Sequence, residues 1–183
     1  IFANHLSYLD ANAIEVLLHR SGGAELANRL TAVAGPKVFT RPERRFTSLC
    51  FGTVKVPQST EVSSGEAMLN VREVARAARR AIDIARGRLG AGDALLLFGE
   101  GTRSRSGGMQ LMLPGVARYV DVPGTWVLPA GLAGSEGLIS VGDATVRPAR
   151  VVMRLGCPIR ADALRASANG HRRLIVNAIG LAV

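Results

Sequence analysis

The sequence predicts a single α/β domain in which a central mixed, mostly parallel sheet is flanked by helices, and three observations carry that prediction. Helix-like and strand-like segments alternate along the chain, the pattern of a sheet covered by helices. Ala94–Phe98 is an unbroken apolar run bounded by Gly92 and Gly99, which reads as a strand buried on both faces. No repeat, low-complexity linker or break in composition divides the 183 residues, a length that suits one core and is short for two.

Taken in order, Asp10 to Arg20 is expected as a helix, Leu30 to Ala34 as a short strand, Pro42 to Phe51 as a helix stopped by Gly52, and Thr53 to Val56 as a strand. From Glu66 to Leu89 the apolar residues Val71, Val74, Ala78, Ile82, Ala85 and Leu89 recur at three- and four-residue steps, giving one buried stripe on a long helix. At about 100° per residue, Arg72, Arg76, Arg79 and Arg86 fall along one flank of that stripe. That flank reads either as a solvated charged face or as a surface for anionic lipid head groups. After Ala94–Phe98 comes a polar, glycine-rich loop. A short helix beyond Pro114 to Val120, strands around Trp126 to Leu132 and Arg150 to Leu155, and a last helix from Asp162 towards Val183 complete the pattern. In such folds sites lie at the strand ends.

Composition narrows the partners. The net charge is +9 and the pI about 11.1, carried almost wholly by arginine, because Lys37 and Lys55 are the only lysines. Such a field favours polyanions, anionic lipid surfaces or phosphorylated small molecules. Only 4% of residues are aromatic, whereas single-strand binders need aromatic platforms between their basic residues, so no nucleic acid partner is expected. Mean hydropathy is +0.20, and no run approaches the roughly 18–20 apolar residues of a membrane span. Cys50 and Cys157 match neither a CxxC nor a zinc-ligand spacing. No disulfide or metal site is expected, and a reducing cytoplasm fits. The chain opens on Ile1 with no secretory signal, and the expectation is one domain over 1–183 that lacks an N-terminal segment.

Two constellations carry chemistry. In Asn4-His5-Leu6-Ser7-Tyr8-Leu9-Asp10 a histidine and an aspartate stand five residues apart. On a regular helix that spacing separates them by about 140°, so they meet only if His5 lies in the turn before the helix. If they meet, Asp10 accepts from one ring nitrogen, fixes the tautomer, and leaves the other nitrogen free to take a proton from a hydroxyl. The structural alternative is an S-x-x-D helix start, with Ser7 as N-cap and Asp10 near the positive end of the helix dipole. His19 and His171, each among arginines on a helix, read as ordinary residues.

The second constellation is Phe98-Gly99-Glu100-Gly101-Thr102-Arg103-Ser104-Arg105-Ser106-Gly107-Gly108, at the end of the expected central strand. Glycines let backbone N–H groups approach a ligand, Arg103 offers two donors to a phosphate, and the hydroxyls at 102, 104 and 106 add more. It reads as a phosphate cradle or, failing that, a surface turn. No Gly-Lys-Ser/Thr follows, and GxGxxG does not lead into a helix, so it is neither a Walker loop nor a dinucleotide fingerprint.

Together the two blocks resemble the glycerolipid acyltransferases of the lysophosphatidic acid acyltransferase type, which carry N-H-x4-D and, downstream, F-P-E-G-T-R-S. Val127-Leu128-Pro129-Ala130-Gly131 and Leu155-Gly156-Cys157-Pro158-Ile159 resemble that family's later blocks, so the likeness spans nearly the whole chain. The resemblance implies the glycerolipid acyltransferase fold, with His5 as general base, Asp10 as its partner, and Glu100, Gly101, Thr102 and Arg103 holding the acceptor phosphate. It implies an O-acyltransferase moving a fatty acyl group from acyl-CoA or acyl carrier protein to the hydroxyl of lysophosphatidate in phospholipid biosynthesis. Neither cofactor nor metal is implied. The implied location is the cytoplasmic face of the cell membrane, peripheral or anchored by a segment outside this chain. Two positions depart from the pattern. Gly99 replaces the proline between Phe and Glu, and Gln58 stands where the family often has a phosphate-contacting arginine, with Lys55 nearby as an alternative charge. The rival readings are an acyltransferase with another lipid or glycolipid acceptor, and a basic membrane- or nucleic-acid-binding module without catalysis.

Overall fold

The computed structural model describes residues 1–40, 42–57, 71–120, 122–139, 145–166, 173–175 and 177–178. Strands form at β1 (Phe2–Ala3), β2 (Leu30–Ala34), β3 (Gly52–Lys55), β4 (Ala94–Phe98), β5 (Trp126–Val127), β6 (Pro129–Ala133), β7 (Val152–Leu155) and β8 (Ile159–Arg160). Helices form at α1 (Asp10–Arg20), α2 (Ala24–Asn28), α3 (Lys37–Thr40), α4 (Pro42–Thr47), α5 (Val71–Gly90) and α6 (Ala161–Ala166). The main sheet has the order β3-β2-β4-β1-β6-β7. Its first five strands are parallel, and β7 closes the edge antiparallel to β6. This is the mixed, mostly parallel sheet that the alternation predicted.

The apolar run of β4 alternates across the sheet as a two-residue period requires. Leu95 and Leu97 enter the core on the α5 side, with Ala81, Ala85 and Val116, while Leu96 enters the opposite core with Ile14 and Leu18 of α1 and Ala27 of α2. On α1 the buried positions Ala11, Ile14 and Leu18 follow the helical period, so one stripe faces the sheet. On α5 the stripe Val74, Ala78, Ile82, Ala85 and Leu89 is buried or half-buried, while Arg72, Arg76 and Arg79 are exposed and Arg86 is half-buried.

Several elements differ from expectation. The helix foreseen over 42–51 ends at Thr47 and tightens into a 3₁₀ turn at Ser48–Cys50. The hydroxyls of Thr47 and Ser48 donate back to the carbonyls of Arg44 and Arg45, at 2.9 and 2.7 Å, a local competition with the helical ladder. The short helix expected beyond Pro114 forms over Pro114–Val120 and is of the 3₁₀ kind. The single strand expected over 126–132 is two: β5 pairs with β8 in a separate ribbon, and β6 pairs with β1 and β7. Pro129, which has no N–H, sits at the change of partner. Residues 66–70 of the long helix and most of the last helix lie outside the described residues, as do Gln58 and His171.

Candidate active site

Strands β1 and β4 are parallel neighbours in register, Phe2 opposite Leu97 and Ala3 opposite Phe98. The chain therefore leaves both at the same edge, and the N-terminal block and the glycine-rich loop emerge side by side. Asn4 fixes the first exit: its Nδ2 donates to Leu132 O at 2.9 Å and its Oδ1 accepts from Leu132 N at 2.7 Å, both buried. His5 thus lies in the turn before α1, the one arrangement in which it can reach Asp10.

The pair forms. His5 Nδ1 is 2.8 Å from Asp10 Oδ2, and the same oxygen accepts from the backbone N–H groups of Leu6 at 2.6 Å and Ser7 at 2.8 Å. An oxygen surrounded by donors is the acceptor in the pair, so Nδ1 carries the hydrogen, and Nε2 is the nitrogen left to exchange a proton with a ligand. Asp10 is fully buried and His5 is 17% exposed, with its ring stacked on Phe98 at 4.3 Å between centroids. The competing helix-start reading is half realised. Asp10 reaches back to the Ser7 N–H, but Ser7 is not the cap: the helix begins after Leu9, with no side-chain cap bond.

In the loop, Glu100 is 5% exposed, and its Oε1 accepts from the His5 N–H and its Oε2 from the Gln110 N–H, each at 2.8 Å. Both carboxylate oxygens face the chain, so Glu100 braces the loop against the histidine turn. Ser104 N donates to His5 O at 2.7 Å, a second tie between the same segments. Gly101 has φ +72°, a left-handed conformation that favours glycine, and a Cβ there would collide with Leu113. A Cβ on Gly99 would stand 3.0 Å from Sδ and Cε of the buried Met112. Thr102 is exposed and Arg103 half-buried. The Arg103 guanidinium lies 3.5 Å from the centroid of the Tyr8 ring, and Arg44 from α4 lies 3.6 Å from the same centroid.

Burial raises the Glu100 carboxyl above its usual value, against the lowering effect of its two backbone N–H bonds. A carboxyl that binds its proton more tightly in the folded than in the unfolded chain removes stability as pH rises from the ordinary glutamate value near 4.5 to the raised folded value. The stability of wild type relative to Glu100→Gln, read from denaturation midpoints, is expected to fall as pH rises through that window.

His5, Tyr8, Gly99, Glu100, Gly101, Thr102 and Arg103 all line one cavity of about 620 Å³. Its other walls are largely apolar, with Ala32–Ala34 of β2, Leu97 of β4 and Val74, Ala78 and Ile82 from the α5 stripe, and they also include Arg118 and Thr53. All six residues singled out in the two blocks are therefore gathered in one place, with Asp10 just behind the wall. Lys55 is elsewhere, exposed and 5.4 Å from the Phe39 ring. His19 pairs with Glu15 on α1 at 3.3 Å. Cys50 and Cys157 are free and exposed, and no cluster of three metal-ligating side chains occurs among the described residues. None of their helices is long and apolar enough to cross a membrane.

Sequence reasoning missed the clamp made by Asn4, the Phe98 stack and the two arginines on Tyr8. A glycine-rich loop signals itself by composition, whereas ring contacts between residues 36 or 95 positions apart leave no spacing to read.

A half-buried histidine, backed by a fully buried aspartate, thus faces a largely apolar cavity beside the loop that carries Arg103. Residues 1–133 match the Acyltransferase family, and the chain belongs to it. Among solved structures the chain is similar to the 1-acyl-sn-glycerophosphate (LPA) acyltransferase PlsC from Thermotoga maritima, with a TM-score of 0.68 and 22% identity. That likeness of fold covers 99% of this chain and 63% of the Thermotoga one. No curated protein matches in sequence.

Proposed function

We propose that the chain is an O-acyltransferase that moves a fatty acyl group from the thioester of acyl-CoA or acyl carrier protein to the free hydroxyl of lysophosphatidate, in phospholipid biosynthesis. The observation that carries this reading is the His5–Asp10 pair, 2.8 Å apart, whose histidine lines a largely apolar cavity together with Arg103.

In this reading Nε2 of His5 takes the proton of the acceptor hydroxyl as its oxygen attacks the thioester carbonyl. The tetrahedral adduct collapses with cleavage of the C–S bond, and the imidazolium returns the proton to the departing thiolate, giving an ester and a free thiol. Asp10 holds the ring in the required tautomer and stabilises the imidazolium. Arg103, Thr102 and the amides near Gly101 hold the phosphate and so convert an encounter into a positioned reaction, while Glu100 keeps their loop fixed to His5. The apolar walls take the acyl chain. The chemistry needs no metal or prosthetic group. The exposed arginines of α5 and the exposed apolar side chains Phe46, Leu49, Leu111 and Leu113 suit an anionic membrane surface, and the cytoplasmic face of the cell membrane is the proposed site of action.

The test is thiol release from a panel of acyl-CoA and acyl carrier protein donors, with and without lysophosphatidate. Release that depends on the acceptor is expected; no acceptor-dependent release with any donor would overturn the reading. Gln58, which replaces an arginine expected from the resemblance, favours a second reading in which the acceptor is another lipid or glycolipid. Faster transfer to an uncharged acceptor than to lysophosphatidate would select it.

A further inference from the structure

We propose that Arg44 is a second ligand of the acceptor's phosphate, paired with Arg103 across Tyr8, which acts as the positioning residue that sets their spacing. The inference rests on the acyltransferase reading for the identity of the reaction, and on the following geometry for the anion.

Two guanidinium carbons lie over one phenol ring, 3.6 and 3.5 Å from its centroid. Both cannot occupy the same face at that height, so Arg44 and Arg103 sandwich the ring. Each face of an aromatic ring is negative and attracts a cation, which lets the ring hold two like charges closer than they would otherwise approach. Among the described residues neither guanidinium is paired with a carboxylate. The recorded hydrogen bond of Arg44 is a long one, 3.4 Å, to the carbonyl of Lys37. Nη1 of Arg103 is buried with no partner, and so is Oγ of the adjacent Ser104, a residue 4% exposed. Buried donors without acceptors are costly and uncommon, and donors on two uncompensated cations call for an anion.

The location suits the acceptor. Tyr8 and Arg103 line the cavity, three residues and one loop from His5, and α4 brings Arg44 to the same rim, where its Thr47 and the following Ser48 also line the cavity. A doubly charged phosphate monoester at the ring's edge accepts from both guanidiniums, an arrangement that a single arginine does not provide. The sequence places no arginine at 58, and Arg44 supplies the second cation from a different element.

The test compares wild type with Arg44→Ala, Arg44→Lys and Tyr8→Leu, using palmitoyl-CoA with either lysophosphatidate or monoacylglycerol, which lacks the phosphate. For Arg44→Ala the KM for lysophosphatidate is expected to rise about tenfold or more, with kcat changed by less than about threefold, and with the KM for palmitoyl-CoA and all constants for monoacylglycerol unchanged. Arg44→Lys, which keeps charge but not the planar stack, falls between, and Tyr8→Leu resembles Arg44→Ala. Equal effects on the two acceptors, or no effect, would overturn the proposal. A second readout separates its failure from that of the reaction. Excess glycerol 3-phosphate, but not glycerol, is expected to raise the thermal midpoint of wild type, and Arg44→Ala, with an unchanged midpoint in buffer, to lose most of that rise. If wild type transfers no acyl group, the functional reading falls while this shift still decides the anion site. No shift in wild type, or an undiminished one in Arg44→Ala, overturns it.

Discussion

Replacement of His5 by alanine is expected to lower kcat for acyl transfer by about 10²–10⁴-fold, the usual contribution of a positioned general base, with KM for donor and acceptor little changed. The side chain is partly exposed on a cavity wall and carries no fold-spanning hydrogen bond other than that to Asp10, so the variant should remain folded. Asp10→Asn is the companion test, and it should behave differently. Asp10 Oδ2 takes three N–H donors, two of them backbone. An amide turned so that its oxygen still serves Leu6 and Ser7 is a weaker acceptor for the ring, and one turned the other way presents N–H to N–H. Loss of activity together with a lowered thermal midpoint is expected for Asp10→Asn, against loss of activity alone for His5→Ala. Steady-state kinetics beside thermal denaturation reads both. Full activity in His5→Ala would remove the mechanism.

Glu100→Ala is expected to have the largest effect on stability of any change in the glycine-rich loop. It strands the N–H groups of His5 and Gln110, each now 2.8 Å from a carboxylate oxygen. An unsatisfied buried donor costs about 1–3 kcal/mol, so the loss from two is several kcal/mol, reduced wherever water enters the opened loop. Denaturant titration measures it. Activity should fall as well, chiefly in kcat, because the brace holds the backbone of the base. Glu100→Gln keeps one acceptor and sets an amide N–H against the other donor, so it should fall between wild type and alanine. Wild-type stability in Glu100→Ala would show that Ser104, through its bond to the His5 carbonyl, suffices to hold the loop.

The strand–helix alternation, the buried run of β4 and the stripe of α5 were legible because each repeats a period that physics imposes on a buried face. Strand β1 was not: two residues, Phe2 and Ala3, display no period, yet they occupy the middle of the sheet because β4 and β6 flank them on both sides. The helix foreseen over 42–51 failed for a local reason, the two hydroxyls that turn back onto the carbonyls three residues before. At the site, the residue types were readable and their duties only partly so. Glu100 stands inside the cradle motif and lines the same cavity, but which way its carboxylate points depends on Gln110, ten residues on. Arg44 carried no sign at all, since its importance comes from a ring thirty-six positions earlier.

Gly99 shows what such dependence means for the firmness of this site. Read alone, a glycine in place of proline is a loosened hinge. In the folded chain the volume a side chain would fill there is occupied by Met112, and the Gly99 carbonyl is held by the Leu113 N–H at 2.8 Å. The backbone at 99 is thus held by contacts contributed from the far side of the loop. A side chain at 99 would have to displace the thioether end of Met112, and truncation of Met112 would open space beneath the cradle. The firmness of the cradle at 99 therefore depends on neighbours thirteen and fourteen positions on, a distance set by the fold rather than by the motif.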